Sequence, residues 1–166
     1  MQRRALDVAQ YEHEARAQPC FICRIVDGTH DFPHGEIYRD EVGIAFLNRY
    51  PTMFGYTLVA PIEHRCGVIS DFGIEEYLAL QRIVHRVGSA ITRVVPTERL
   101  YVLSVGSNDG NAHVHWHLAP LPPGVPYEEQ QFSALIVEDA GYLDLSGEEH
   151  ARLAAEISAA LERLDH

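Results

Sequence analysis

Residues 112–119, Ala112-His113-Val114-His115-Trp116-His117-Leu118-Ala119, put three of the chain's ten histidines on alternate positions. In an extended strand side chains repeat with a period of two, so His113, His115 and His117 share one face, with neighbouring rings about 7 Å apart. Val114, Trp116 and Leu118 take the other face, where they can enter a core. Imidazole titrates near neutral pH, ligates zinc and can act as a nucleophile. The row is therefore a candidate active site on a strand.

Working outward, residues 106–111 are predicted as a turn-rich loop before this strand, and 100–105 as an apolar strand before the loop. Ile74, Tyr77, Leu78, Gln81, Val84, Val87, Ile91 and Val94 recur at helical spacing, so the segment up to Val95 is predicted as one long helix stopped by Pro96. Tyr56–Ala60 is predicted as a strand closed by Pro61. Residues 36–39 and 42–47 suggest a hairpin around Asp40-Glu41, with 48–55 a connecting loop. Residues 3–18 suggest a short helix before Pro19, and 27–35 a polar loop. Beyond the histidines, Pro120, Pro122, Pro123 and Pro126 are expected to break regular structure, and 132–138 can be strand or loop. Ser146-Gly147-Glu148-Glu149 fits a capping box opening a last helix, whose apolar face is Leu153, Ile157, Leu161 and Leu164. Strands, a long helix and then further strands, without βαβ alternation, indicate an α+β fold with a largely antiparallel sheet.

The chain of 166 residues suits one domain. Its formal charge is −11, which disfavours a nucleic-acid partner while leaving room for a small phosphorylated ligand. All 13 basic residues are arginine, so Schiff-base chemistry on lysine is excluded. No apolar run is long enough for a membrane span, and no apolar core follows the arginines at positions 3 and 4, so a cytoplasmic protein is expected. Cys20 and Cys23 form a Cys-x-x-Cys with no second copy, which is suggestive of metal binding, and Cys66 stands alone.

His-x-His-x-His followed by two apolar residues resembles the signature of the histidine triad (HIT) superfamily of nucleotide hydrolases and transferases. Phe46-Leu47-Asn48-Arg49-Tyr50-Pro51, Gly55, Leu58-Val59-Ala60-Pro61 and His64 are similar to that family's upstream block. The resemblance covers about residues 19–120, leaving a C-terminal helical extension at 146–166 within a single HIT-like domain, 1–166. It implies an antiparallel sheet with one long helix, and a homodimer for which the long helix has apolar positions to spare. It also implies that His115 attacks the α-phosphorus of a nucleotide, forming a nucleotidyl-histidine that water or another acceptor then discharges. His117 would donate to the attacked phosphate, and Ser107 and Asn111, with neighbouring loop N–H groups, would cradle it. Phe21, Ile22, Phe46 and Leu47 would hold the base, and Asn48 the ribose. In a zinc-bearing branch of the family the ligands fall at Cys20, Cys23, His64 and His113, a closed set that describes a structural ion.

The chain departs from the family at two polar positions. Tyr56 replaces a histidine of the active-site network, and a phenol is no cation near neutral pH. Ser104 stands where asparagine is frequent. Trp116 and the Asn48-x-Tyr50-Pro51 block resemble a diadenosine-tetraphosphate phosphorylase-like branch, yet Leu121 occupies that branch's arginine position. Two other functions stay open at this point: a nucleotide-binding protein with weak or lost catalysis, and a metal-dependent hydrolase in which all three histidines are ligands. His30, His34, His85, His150 and His166 are read as solvated or capping residues, and Arg49 and Arg65, which flank the upstream block, as a solvated face in preference to contacts for distal phosphates.

Overall fold

The computed structural model describes residues 2–32, 34–105 and 112–164. A short strand β1 (Arg3–Arg4) precedes helices α1 (Val8–Ala17) and α2 (Phe21–Val26). Strands β2 (Glu36–Arg39), β3 (Gly43–Leu47) and β4 (Thr57–Pro61) lead into the long helix α3 (Ile74–Val94), followed by β5 (Arg99–Leu103) and β6 (Trp116–Leu121). Two short helices, α4 (Phe132–Leu135) and α5 (Val137–Ala140), then β7 (Tyr142–Leu143) and α6 (Gly147–Glu162), complete the chain. The predicted α+β class, long helix and C-terminal helix are all present.

The main sheet runs β2-β3-β4-β6-β5, with every pairing antiparallel. On one face α3 and α6 pack against it, enclosing a core that includes Val59, Val87, Ile91, Val114, Trp116, Leu118 and Ile157. Burial at the spacing of Leu80, Ile83, Val84, Val87 and Ile91 supplies the helical stripe of α3. Glu75 and Glu76 complement the positive end of its dipole. Helix α6 opens with the expected capping box, Ser146 accepting from the Glu149 N–H and the Glu149 carboxylate from that of Ser146. The opposite face carries a second core of Ile22, Ile25, Ile44, Phe46, Tyr56, Leu58, Ala119 and Leu121 beneath α2. Strands β3 and β4 are buried throughout because both faces are covered.

Four expectations need correction. The first helix begins only at Val8, where the Asp7 side chain caps Gln10 N–H, because residues 3–4 pair with β7. Segment 132–138 is neither strand nor loop but lies in α4 and α5. The histidine strand starts at Trp116 rather than Ala112. The Val114 N–H instead donates to the Arg65 carbonyl at 2.7 Å, and the Ser104 hydroxyl donates to the His115 carbonyl at 2.7 Å. Pro120, expected to break the strand, lies within it opposite Leu100. The β4 ladder ends at Thr57–Leu118, so no neighbour needs a donor from Pro120 on that side. Gly55 turns the chain there with φ +85°, and a Cβ on it would come within 2.7 Å of Val95 Cγ2.

Candidate active site and metal centre

Two histidines of the row face a common cavity, while the third turns to a different group of side chains. His115 and His117 lie 4.7 Å apart between ring centroids and line a cavity of about 460 Å³. The same face of β6 continues into Ala119 and Leu121 of the second core, as the period of two requires. His115 is held by its own strand: its Nδ1–H donates to the His113 carbonyl at 2.7 Å. That bond fixes the tautomer with the lone pair on Nε2. Burial lowers its pKa, opposed by this same hydrogen bond, so the ring is neutral near pH 7.

His117 Nδ1 lies 3.0 Å from the Tyr56 hydroxyl. Burial pushes Tyr56 up to about 12, keeping its proton, and lowers His117 to about 4, with the neighbouring His115 adding to the effect. In the tautomer in which the phenol donates to Nδ1, the His117 proton lies on Nε2, free to donate. Tyr56 therefore orients His117 without a charge of its own. Ser104 does not line the cavity, and its hydroxyl serves the His115 carbonyl, anchoring the backbone between the two rings.

Of the expected nucleotide contacts, Phe21, Phe46, Leu47 and Asn48 line the same cavity. Phe21 stands edge-on to both Phe46, at 6.4 Å, and His115, at 6.1 Å. Ile22 does not line it; the side chain is fully buried beneath, in the core. Asn48 Oδ1 accepts from the Tyr50 N–H at 3.0 Å, so its amide nitrogen remains available as a donor. Ser107 and Asn111 lie outside the described residues. The outer wall comes from residues that the spacing did not single out: Tyr11, Glu14 and Ala15 of α1 with its C-cap Gln18, and Phe32 and His34 of the loop before β2. Two of the histidines read as solvated or capping pack against the protein instead of facing solvent. His150 is buried with its Nε2 3.4 Å from the Asn48 carbonyl, and it continues the helical stripe of Leu153 and Ile157, a signal open to view in the sequence. His34 meets His30 edge-on, with ring centroids 4.1 Å apart, and the buried His30 Nδ1 has no hydrogen-bond partner among the described residues. Arg65 pairs with Glu63 at 2.7 Å and Glu76 at 2.8 Å, away from the cavity.

His113 belongs to the other cluster. Its Nε2–H donates to the Pro61 carbonyl at 3.0 Å, which leaves the Nδ1 lone pair facing Cys20 and Cys23 Sγ, each at 3.5 Å. His64 Nδ1 lies 3.3 Å from Cys23 Sγ, and the four candidate ligand atoms lie within 4.8 Å of one another. Zinc bound tetrahedrally, with Zn–S about 2.3 Å and Zn–N about 2.0 Å, separates a sulfur from a nitrogen by about 3.5 Å. The spacing fits that ion. The electrostatics do as well: burial and the adjacent Cys20 push the Cys23 thiol up to about 11, a penalty on thiolate that a dication would remove. Cys66, which spacing left alone, puts its Sγ 3.5 Å from His64 Nε2, where it can hold the outer side of that ring. Among the described residues the metal-ligating cluster holds His113 but neither His115 nor His117, which argues against one ion shared by all three histidines.

No protein-family profile matches the chain. The adenosine 5'-monophosphoramidase of Schizosaccharomyces pombe is 28% identical over 134 residues, 70% of this chain and 92% of the relative. A HIT-like protein of Mycoplasma pneumoniae is 30% identical over 105 residues, 62% of this chain and 70% of the relative. The chain belongs to the histidine triad family. A zinc-bound histidine triad family protein from Mycobacterium smegmatis has the same fold, with a TM-score of 0.68 over 88% of this chain and 95% of that one, at 23% identity. The HIT fold thus accounts for the sheet order and the long helix. The wall formed by α1 lies N-terminal to the motifs on which the family resemblance rests.

Proposed function

We propose that this HIT protein is a nucleotide hydrolase or nucleotidyl transferase that uses His115 as a nucleophile at an α-phosphate. The observation that carries this reading is the bond from His115 Nδ1–H to the His113 carbonyl, which leaves Nε2 neutral, unprotonated and at the cavity wall. The Nε2 lone pair forms a bond to phosphorus as the bond to the leaving group breaks. The leaving group carries away the bonding pair and takes up a proton. Water or another acceptor oxygen then attacks the same phosphorus as the Nε2–phosphorus bond breaks; the bonding pair returns to Nε2, and the acceptor gives its proton to solvent, leaving His115 neutral. His117 Nε2–H, backed by Tyr56, donates to the nonbridging oxygens as their charge grows. Phe21, Phe46 and Leu47 take the base by their apolar surfaces, and the Asn48 amide takes the ribose hydroxyls. The activity named for the Schizosaccharomyces relative makes nucleoside phosphoramidates the first substrates to try, followed by dinucleoside polyphosphates.

Cys20, Cys23, His64 and His113 would hold a structural zinc. Its contribution when bound is to fix the start of β6 against α2 and the segment after β4. No described helix is long and apolar enough to cross a membrane. A homodimer is supported by the place of β5 at the end of the sheet and by exposed Val102 on it and Ile74 and Leu78 along α3. With adenosine phosphoramidate as substrate, His115→Asn is expected to lower kcat at least ~10³-fold with an unchanged fold. Retained turnover in that variant would refute the nucleophile. A wild-type protein that binds adenosine monophosphate but turns over none of these substrates would instead favour a binding protein, for which Tyr56 is the motive.

A further inference from the structure

Arg49 lines the cavity that holds His115 and His117, and the reaction proposed above has no use for it. Its guanidinium carbon lies 4.9 Å from the Phe32 ring centroid and 5.1 Å from that of Tyr50. Both rings are themselves braced, Phe32 by His30 at 5.6 Å, and Tyr50 by Tyr142 at 5.2 Å and Tyr11 at 5.7 Å. A guanidinium held by aromatic faces keeps its in-plane N–H donors for an anion. The other arginine of the cavity, Arg24, is already neutralised by Asp31 at 2.7 Å. Among the described residues no carboxylate lies within ion-pair distance of Arg49.

Position decides which anion. Leu58 pairs with His117 on one side and Phe46 on the other, so Phe46 lies two strands from His117, about 10 Å. That span matches a nucleoside 5'-phosphate with phosphorus at His117 and base at Phe46. Leu47, Asn48 and Arg49 continue the chain from Phe46, at the nucleoside end of the cavity rather than at the reacting phosphorus. A phosphate reaching Arg49 must then be carried by the ribose itself. We propose that Arg49 is a subsite for a phosphate on the 2' or 3' oxygen of the substrate's ribose, so that the preferred substrates are nucleotides phosphorylated there as well as at the 5' oxygen. The proposal rests on the cavity being a nucleotide site. Its physics is that of an arginine accommodating a ribose phosphate through paired, charge-assisted hydrogen bonds. Glu14 faces the cavity from α1, with Oε1 accepting from Gln10 Nε2 at 2.9 Å, and its charge opposes the added phosphate.

The test is calorimetric titration of the full-length protein with adenosine 5'-monophosphate, adenosine 2',5'-bisphosphate and adenosine 3',5'-bisphosphate. None of these carries a leaving group on the 5'-phosphate. One bisphosphate is expected to bind about tenfold more tightly than the monophosphate, and Arg49→Gln to bring that ratio close to one. Arg49→Lys, a point charge without the fork, should give an intermediate ratio, and Glu14→Gln a larger one. A ratio near one in the wild type, or a tenfold ratio surviving in Arg49→Gln, overturns the subsite while leaving the nucleotide reading intact. Failure of all three ligands to bind overturns both.

Discussion

Tyr56 is the residue at which the chain departs most visibly from the family pattern, and the phenol supplies what the site needs there. Its hydroxyl lies 3.0 Å from His117 Nδ1, and when it donates there the His117 proton sits on Nε2. Tyr56→Phe leaves that nitrogen buried without a partner. It should cost about 1–2 kcal/mol of stability and lower kcat about tenfold, measured by denaturation and by steady-state turnover. An unchanged kcat would separate Tyr56 from the reaction. His117 also makes stability depend on pH. Its folded pKa, about 4, lies below the ordinary 6.5, so the unfolded chain binds more protons between those values. The stabilisation is therefore complete above pH 6.5 and is lost as pH falls toward 4, at most on the order of 3 kcal/mol for this one group. His117→Gln should flatten the fall in stability across that window, and denaturation midpoints taken at several pH values will show it.

At the scale of elements, the Cys/His cluster brings together three pieces of the chain: the start of α2 at Cys20 and Cys23, the segment after β4 at His64, and the entry to β6 at His113. The zinc-loaded protein is expected to hold one ion per chain by elemental analysis. Stripping it with a chelator should remove about 3 kcal/mol, roughly 10 °C in Tm, while protein that stays folded keeps its turnover. Lost activity at an unchanged Tm would mean a catalytic metal instead. Both functional clusters were legible in the sequence because each rests on short spacing: alternation of two for the histidines, Cys-x-x-Cys for the thiols. The split between them was legible only through the family resemblance. What directs His113 away from its neighbours is a bond to the Pro61 carbonyl, 52 residues distant in the chain. Helix α1 gave no such signal as a cavity wall. It buries no residue, and Tyr11 against Tyr50 is among the contacts that hold it. Helices α4 and α5 are each four residues long, too short for a hydrophobic period to declare itself.

For the whole molecule, β5 is the last strand of the sheet, and its exposed Val102 faces the side on which α3 packs while the cavity lies on the other face, so two copies can pair without closing the cavity. Light scattering should give twice the 18.7 kDa chain mass for the wild type and a monomer for Leu78→Glu combined with Val102→Glu. A wild-type monomer would rule the dimer out. The central claim concerns one bond, between His115 Nε2 and phosphorus. It is tested most directly by acid-quenching a single turnover of adenosine phosphoramidate and mapping the modified peptide by mass spectrometry. The predicted result is an adenylyl group on His115, absent from His115→Asn. An adenylyl group on His113 or His117, or turnover that persists in His115→Asn, would contradict it.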